Sequence, residues 1–322
     1  MNFPKTLIKT ASALAVTAAF VYGAPVAAEY PEKPIKVYVG FSAGGGTDTY
    51  ARTMASLIHE QIEMPMVIVN KTGASGGIAA NYVSKQKPDG YTLFFHSSGS
   101  FLIKSLRGES EVNAFDHFDI VAQVGKLTPT VVVPKATPYK TIGDLVAAAQ
   151  KEPGKLRWAH SGVGSVMHTT GVAFLSRNGL KAKAIPFKGG SKARGAMVAQ
   201  KVQFGILGAQ QLSGFESELR ALGVSTDTRD VMKPKIPTIK EGGAKALNIS
   251  SPMVLYAPKG TPDAIKMKLE KAVEAVTKTK GFKRLLKKAG LPIVFQPAAK
   301  TLADLKMLNE DLKPIVAETM KK

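Results

Sequence analysis

Between positions 40 and 52 the chain reads GFSAGGGTDTYAR: a serine, three consecutive glycines and a Thr47–Asp48 pair ahead of a helical pattern. Residues of these types at this spacing suit three chemistries. Gly40-Phe41-Ser42-Ala43-Gly44 matches the G-x-S-x-G pattern that places a nucleophilic serine on a sharp strand-to-helix turn. Glycines leading into a helix also build phosphate cradles. The third possibility is a backbone-lined pocket for another anion. Glycine lets a ligand come close to the main chain, and free N–H groups at a helix start attract negative charge.

The first two fare poorly. The serine pattern recurs at Gly73-Ala74-Ser75-Gly76-Gly77, so it comes cheaply in a chain with 30 glycines. Only one strand pattern precedes Ser42 after the leader, whereas a hydrolase sheet needs an earlier strand and loop to complete its oxyanion hole. Gly44 and Gly46 lack the third glycine of a dinucleotide fingerprint, because position 49 is threonine. Gly125-Lys126 and Gly154-Lys155 are each followed by leucine, so neither is a P-loop. His59, His96, His117, His160 and His168 show no zinc-ligand spacing, and the absence of cysteine removes thiolate chemistry and disulfides. No metal and no cofactor is expected.

The anion reading gains from repetition. His160-Ser161-Gly162-Val163-Gly164-Ser165 follows the strand pattern LRWA and leads into a helix near Val166. Ser97-Ser98-Gly99-Ser100 follows YTLFF. Three polar, glycine-bearing loops at strand ends fit one crevice outside the carboxyl ends of the sheets. A side chain at Gly45 or Gly164 would occupy the ligand's space. Thr47 or Asp48 would cap the helix, and Asp48 scaffolds the loop through backbone N–H groups rather than meeting the anion. His168 either touches a carboxylate or acts as a base, or else packs and hydrogen-bonds locally.

The elements that must hold these loops alternate. Ile35, Val37 and Val39 follow strand periodicity, and Ala51, Met54, Ala55, Ile58 and Ile62 follow helical spacing. Further strands are expected at 66–69, YTLFF, 156–159, 184–187, 202–207, 219–224 and 253–257, with a helix at 78–85. Thr141 with Asp144 opens a helix to Glu152, Thr261-Pro262 opens the longest helix, and Thr301 with Asp304 starts the last. This is an α/β pattern with mainly parallel strands.

Residues 1–28 carry Lys5 and Lys9, then an uncharged run from Thr10 ending in Val26-Ala27-Ala28. Pro25, the small-residue end and the lack of a basic stop favour a cleaved export signal over a membrane anchor. The rest of the 322 residues suffices for two domains. The net charge of +20 falls by two without Lys5 and Lys9. Its lysines are scattered (Lys266, Lys268, Lys271, Lys278 and Lys280 among them), and one tryptophan supplies no stacking series, so nucleic acid is not an expected partner. The excess reads as a solvated basic surface with a mild bias toward anions.

The motifs YPEKPIKVYVGFSAGGGTDTYAR, VIVNKTGASGGIAA, KPDGYTL, HSGVGSVMH, IPFKGGSKA, IPTIKEGG and YAPKGTP, in this order, cover nearly all of the chain beyond the leader. In them the chain resembles the periplasmic solute-binding proteins of tripartite tricarboxylate transporters, the Bug family. The resemblance implies a two-lobed Venus-flytrap fold of type II, with two mixed, mainly parallel sheets flanked by helices. The chain would cross the hinge twice, giving lobe one 29–127 with 252–322 and lobe two 128–251.

It further implies a monomeric, non-enzymatic periplasmic receptor that passes a small carboxylate to membrane permease subunits. The rivals are a periplasmic serine hydrolase using Ser42 or Ser75, and a ligand receptor for a sensor kinase. The family's first loop falls on Ser42, Ala43, Gly44, Gly45, Thr47 and Asp48, and its second on Ser161, Gly162, Gly164, Ser165 and His168; Phe41, beside the first, is a further candidate ligand contact. Ser97 and Ser98 belong to the third loop. Phe187 stands where a tyrosine is usual, Gln210 follows Leu207-Gly208-Ala209 where relatives often carry an aspartate, and Ser251-Pro252 lies near a tryptophan position.

Overall fold

Ile35, Val37 and Val39 of β1 (Ile35–Val39) are wholly buried, as their alternation requires. The computed structural model describes Met1 and residues 30–320, so the export-signal reading of residues 1–28 lies, Met1 apart, outside the described residues. After β1 come α1 (Gly46–Ile62), β2 (Met66–Asn70), α2 (Gly77–Ser84), β3 (Thr92–Ser97), α3 (Ser98–Leu106) and β4 (Phe118–Leu127). A second series follows: β5 (Pro129–Pro134), α4 (Ile142–Lys151), β6 (Arg157–His160), α5 (Val166–Arg177), β7 (Lys183–Pro186), α6 (Gly190–Val198), β8 (Phe204–Gly208) and β9 (Leu219–Val224). The chain then returns with β10 (Ser251–Pro258), α7 (Asp263–Lys278), α8 (Lys280–Ala289), β11 (Ile293–Pro297) and α9 (Ala298–Met320).

The strands form a six-stranded sheet, β11-β4-β10-β3-β1-β2, and a five-stranded sheet, β7-β6-β8-β5-β9. Both are mixed and flanked by helices, but parallel strands do not predominate as expected: four pairings are parallel and five antiparallel. The cause is the returning and crossing strands. β10 runs antiparallel between β3 and β4, and β5 runs antiparallel between β8 and β9. The parallel core of each sheet nevertheless aligns the strand ends that matter. Val39 pairs with Phe95, and Ala159 with Gly205, so the loops after β1 and β3 lie side by side, as do those after β6 and β8.

The chain leaves the first sheet at Thr128 and re-enters it at Ser251, and Ser225 on the return path donates its N–H to Pro129 O at 2.8 Å. Both sheets lie in one compact unit that starts at Pro31. One core cluster joins α2, α3 and α9 to Phe94, Val254 and Tyr256 and continues into α5 through Val166 and Ala173. A second gathers Val132, Ala159 and Leu207 under Ala193 and Met197 of α6.

Three strands escape the periodicity, namely β4, β5 and β11. In β4 the apolar run is broken by Gln123, Gly125 and Lys126, of which Gly125 leaves room for the Tyr50 ring. The Thr141–Asp144 capping box forms as expected. The longest helix among the described residues is α9 rather than α7, and it starts at Ala298. Thr301 sits inside its first turn and donates to Gln296 O at 3.1 Å. Pro262, not Thr261, occupies the cap position of α7, because Thr261 turns back to Pro258 O.

Candidate functional site

The loop after β1 closes through one carboxylate. Asp48 is 2 % exposed. It accepts from Gly44 N at 2.9 Å, from Asn70 Nδ2 at 2.8 Å and from Arg52 Nε at 3.0 Å. Asn70 Nδ2 also reaches Phe41 O at 3.0 Å, so β2 holds the loop from outside. Gly44 takes φ +74°, where a side chain would strain the turn. Neither Thr47 nor Asp48 caps α1. Gly45 holds the cap position without a side chain, which leaves the first N–H groups of α1 facing the space ahead of the helix.

The loop after β6 is built differently. Ser165 caps α5, accepting from His168 N at 3.2 Å and donating to Gly162 O at 2.7 Å. Ser161 donates to Ser165 Oγ at 3.2 Å. Gly162 N donates to His160 Nδ1 at 3.2 Å and Gly164 N to His168 Nδ1 at 3.3 Å, so both glycine N–H groups are held by imidazoles. His160 and His168 lie 4.5 Å apart between ring centres, and His168 stacks on Trp158 at 6.0 Å. Burial, then the neighbouring His168, pushes His160 down to about 3. Burial, then the charge of Arg107, pushes His168 down to about 4 against the pull of Glu109. Both rings are neutral near pH 7, which fits their role as acceptors.

Hydrogen bonds join the loops of the two sheets directly. Ser42 N donates to Lys188 O at 3.0 Å, Ser191 Oγ to Ala43 O at 2.7 Å, Ser75 Oγ to Val163 O at 2.6 Å, and Val166 N to Ser100 Oγ at 3.1 Å. Ser42 Oγ also meets Ser191 Oγ at 2.9 Å. Among the described residues neither the Ser42 nor the Ser75 hydroxyl hydrogen-bonds to a histidine; the bond between His96 and Ser75, at 3.1 Å, is to the backbone carbonyl.

Between these loops lie two spaces whose linings share Phe41 and Ser161. The inner one, of about 30 Å³, is lined by Gly45, Gly46, Thr47, Ser97, Ser161 and Gln210, together with Ser100, Met167, Gly190 and Gln211. Among the described residues, no ionisable side chain lines it. Residues at the starts of α1, α3, α5 and α6 all line it, so the positive ends of four helix dipoles border one place, although at α5 Val166 N and His168 N are already taken by Ser100 and Ser165. Gln211 is 2 % exposed, and its Oε1 has no hydrogen-bond partner. The outer chamber, of about 550 Å³, is lined by Phe41, Ser75, Gly162, Phe187 and three charged residues, Lys104, Glu109 and Lys188. Lys104 Nζ binds Glu109 Oε2 at 2.7 Å, and Arg107 Nε binds Glu109 Oε1 at 2.6 Å. Burial would raise the Glu109 carboxyl, but the bonds from Lys104 and Arg107 hold it below the usual range.

The structure therefore brings Phe41, Gly45, Thr47, Ser97, Ser161 and Gln210 to the inner cavity and Gly162 and Phe187 to the outer one. Ser42, Ala43, Gly44 and Asp48 shape the first jaw, and Ser165 the second. Ser98 points away, bonded to Tyr256 at 2.6 Å in the core. Gly164 and His168 line neither cavity. Sequence reasoning missed Gly46, Ser100 and Gln211. Adjacency to the glycine run, to the third loop and to Gln210 was the available signal. Nothing in the pattern marked Lys104 and Glu109, which the turn after α3 carries to the chamber.

Two mixed α/β sheets with their parallel strand ends facing one polar crevice define a two-sheet solute-binding protein. Residues 50–316 match the model of the tripartite tricarboxylate transporter family receptor, and the chain belongs to that family. It is similar to protein BugT of Bordetella pertussis, at 29% identity over 80% of each chain. A Pseudomonas sp. strain P51 protein, described as a UPF0065 protein in the tcbD-tcbE intergenic region, is 29% identical over 86% of this chain and 83% of its own. Among solved structures, Rpa4515 of R. palustris with adipate superposes with a TM-score of 0.84 at 25% identity, covering 90% of this chain and 98% of that one. MatC of Rhodopseudomonas palustris with bound malate gives 0.83 at 25% identity, covering 89% and 100%. The periplasmic binding protein BugD gives 0.81 at 26%, covering 89% and 98%.

Proposed function

We propose that this receptor captures a small organic carboxylate between the loops of its two sheets, in the periplasm after removal of residues 1–28, and delivers it as a monomer to permease subunits. One observation carries the reading: four helix N-termini converge on a cavity with hydroxyls and amides but no ionisable side chain. Such a site stabilises a carboxylate by N–H and O–H donors alone and binds without turnover, because no base–nucleophile pair is at hand. The carboxylate sits at Gly45–Thr47, Ser97, Ser161 and Gln210. The remainder of the ligand extends past Phe41 into the outer chamber, where Lys188 offers a second positive group. The relatives solved with adipate and malate support the ligand class. The lobes of this reading are 29–127 with 252–322, and 128–251, hinged where the chain crosses between sheets.

A thermal-shift screen over mono-, di-, tri- and aromatic carboxylates tests it. A true ligand at a hundred times its dissociation constant adds about 2.7 kcal/mol of stability. A screen in which no carboxylate raises the midpoint, or in which cations and neutral sugars do so equally, overturns the reading.

A further inference from the structure

We propose that the outward face of α8 is a docking surface for the anionic headgroups of a phospholipid membrane. Lys280, Lys283, Arg284, Lys287 and Lys288 recur at helical spacing, so they fall on one side of the helix, in a stripe about 12 Å long. All five are exposed, and among the described residues none of their side chains has a hydrogen bond or ion pair. The other side is anchored, with Phe282 and Leu286 at 0% exposure and Gly281 against Leu57 of α1.

In the neighbouring helices, by contrast, several lysines have acidic partners on their own helix. Lys266 and Lys278 of α7 pair with Asp263 and Glu274, and Lys300 and Lys313 of α9 pair with Asp304 and Glu310. α8 contains no acidic residue. Like charges three and four residues apart destabilise a helix, and Lys280 and Lys283 also stand in the first turn, where the helix dipole disfavours cations. The stripe thus works against its own helix, and an external anion removes that repulsion.

The composition of the stripe selects the anion. It carries no exposed aromatic ring on which nucleic-acid bases could stack. Protein interfaces centre on Tyr, Trp and Arg and are depleted in Lys, whereas four of these five cations are lysine. Mobile ammonium groups on long stems suit a laterally diffuse layer of phosphates, and the half-exposed Leu285 sits among them. The helix also leans on the binding region: a side-chain carbon at Gly290 would lie 2.6 Å from Ser213 and 3.7 Å from Gln210. Docking through α8 holds the cleft next to the membrane, whichever carboxylate the cleft takes.

Vesicle co-sedimentation tests the proposal, using the purified full chain, the double variant Lys283→Glu/Lys287→Glu, and Lys151→Glu/Lys155→Glu as a control with the same change in net charge. The N-terminal segment is identical in all three, so differences between them belong to the substituted surface. Near-ultraviolet dichroism of each variant confirms an unchanged fold. We expect the wild type and the control to pellet with vesicles containing about one-third phosphatidylglycerol at about 50 mM salt, to be released at about 500 mM, and to ignore pure phosphatidylcholine. The α8 variant loses about tenfold or more in partitioning. Equal losses in both double variants would reduce the effect to net charge and overturn the proposal. So would undiminished binding by the α8 variant, or no binding by the wild type, in which case an acidic protein surface is the occupant.

Discussion

Replacing Asp48 by alanine separates a helix cap from a loop clamp. A residue that only caps α1 contributes about 1 kcal/mol. In the structure the Asp48 carboxylate gathers Gly44 N–H, the Asn70 amide and the Arg52 guanidinium at 2.8–3.0 Å while almost fully buried. Removing it leaves the Gly44 N–H unsatisfied, at roughly 1–2 kcal/mol, and strips Asn70 of one of two acceptors, at about 1 kcal/mol. The Arg52 side chain is 51% exposed, so its share is screened to about 0.5 kcal/mol. The total is about 3 kcal/mol. Urea unfolding at neutral pH reads this directly as a fall in midpoint at constant slope. Asp48→Asn keeps one acceptor and falls between the two. With Gly44 released, the first jaw shifts, and calorimetry with the screened carboxylate should show about a tenfold weaker affinity, near 1.4 kcal/mol. A stability loss of 1 kcal/mol or less with unchanged affinity would refute the clamp.

Gly46→Ala should act mainly on binding. Its methyl group would lie 2.3 Å from Gln210 Nε2 and 2.8 Å from Leu127 Cδ2, so the amide must leave the inner cavity, and calorimetry should show about a tenfold loss or more while stability stays within about 1 kcal/mol. Gly164→Val should do the reverse, because φ is +75° and the added carbon would meet Lys104 Cδ at 2.8 Å: about 2 kcal/mol less stability, with retained affinity in the surviving folded fraction. His96 is held down to about 3 by burial between Phe41 and Phe94, against the bond to Ser75 O. Its folded value lies below its unfolded one near 6.5, so its contribution is present above pH 6.5 and declines by about 1.4 kcal/mol per pH unit as pH falls toward 3. His96→Phe should flatten the acid limb of a stability–pH curve, and an unaltered limb would show that the acid sensitivity arises elsewhere.

The glycine run was legible as a turn into a helix because its logic is local: strand, bare turn, helix start. The scaffolding role of Asp48 was equally local, since a buried carboxylate beside a helix N-terminus needs N–H donors. What escaped depends on rotamers and on distant chain. The N–H groups of Gly162 and Gly164 read as free donors, yet His160 and His168 turn their Nδ1 atoms onto them, and sequence does not fix an imidazole's rotamer. Ser98 looked equivalent to Ser97, but its hydroxyl goes to Tyr256, 158 positions away. The charged wall of the outer chamber was invisible for a related reason. Lys104 and Glu109 follow no motif, and only the packing of α3 beside the second loop brings them there. Strand β4 hid because Gln123 and Gly125 serve partners from elsewhere, Val294 O and the Tyr50 ring, instead of the local alternation.

The hydrogen bonds that run between the loops of the two sheets bear on the timing of ligand exchange. Ser42 to Lys188, Ser191 to Ala43, Ser75 to Val163 and Val166 to Ser100 close the crevice with the protein's own groups. At about 1 kcal/mol apiece, they make the crevice's opening an infrequent excursion. Dissociation of a bound molecule can then be no faster than that excursion, so residence time is set by the gate as well as by the grip. A molecule held this way leaves promptly only when something stabilises the open arrangement more than the shut one. Rapid hand-over therefore belongs to the encounter with the acceptor rather than to the receptor alone.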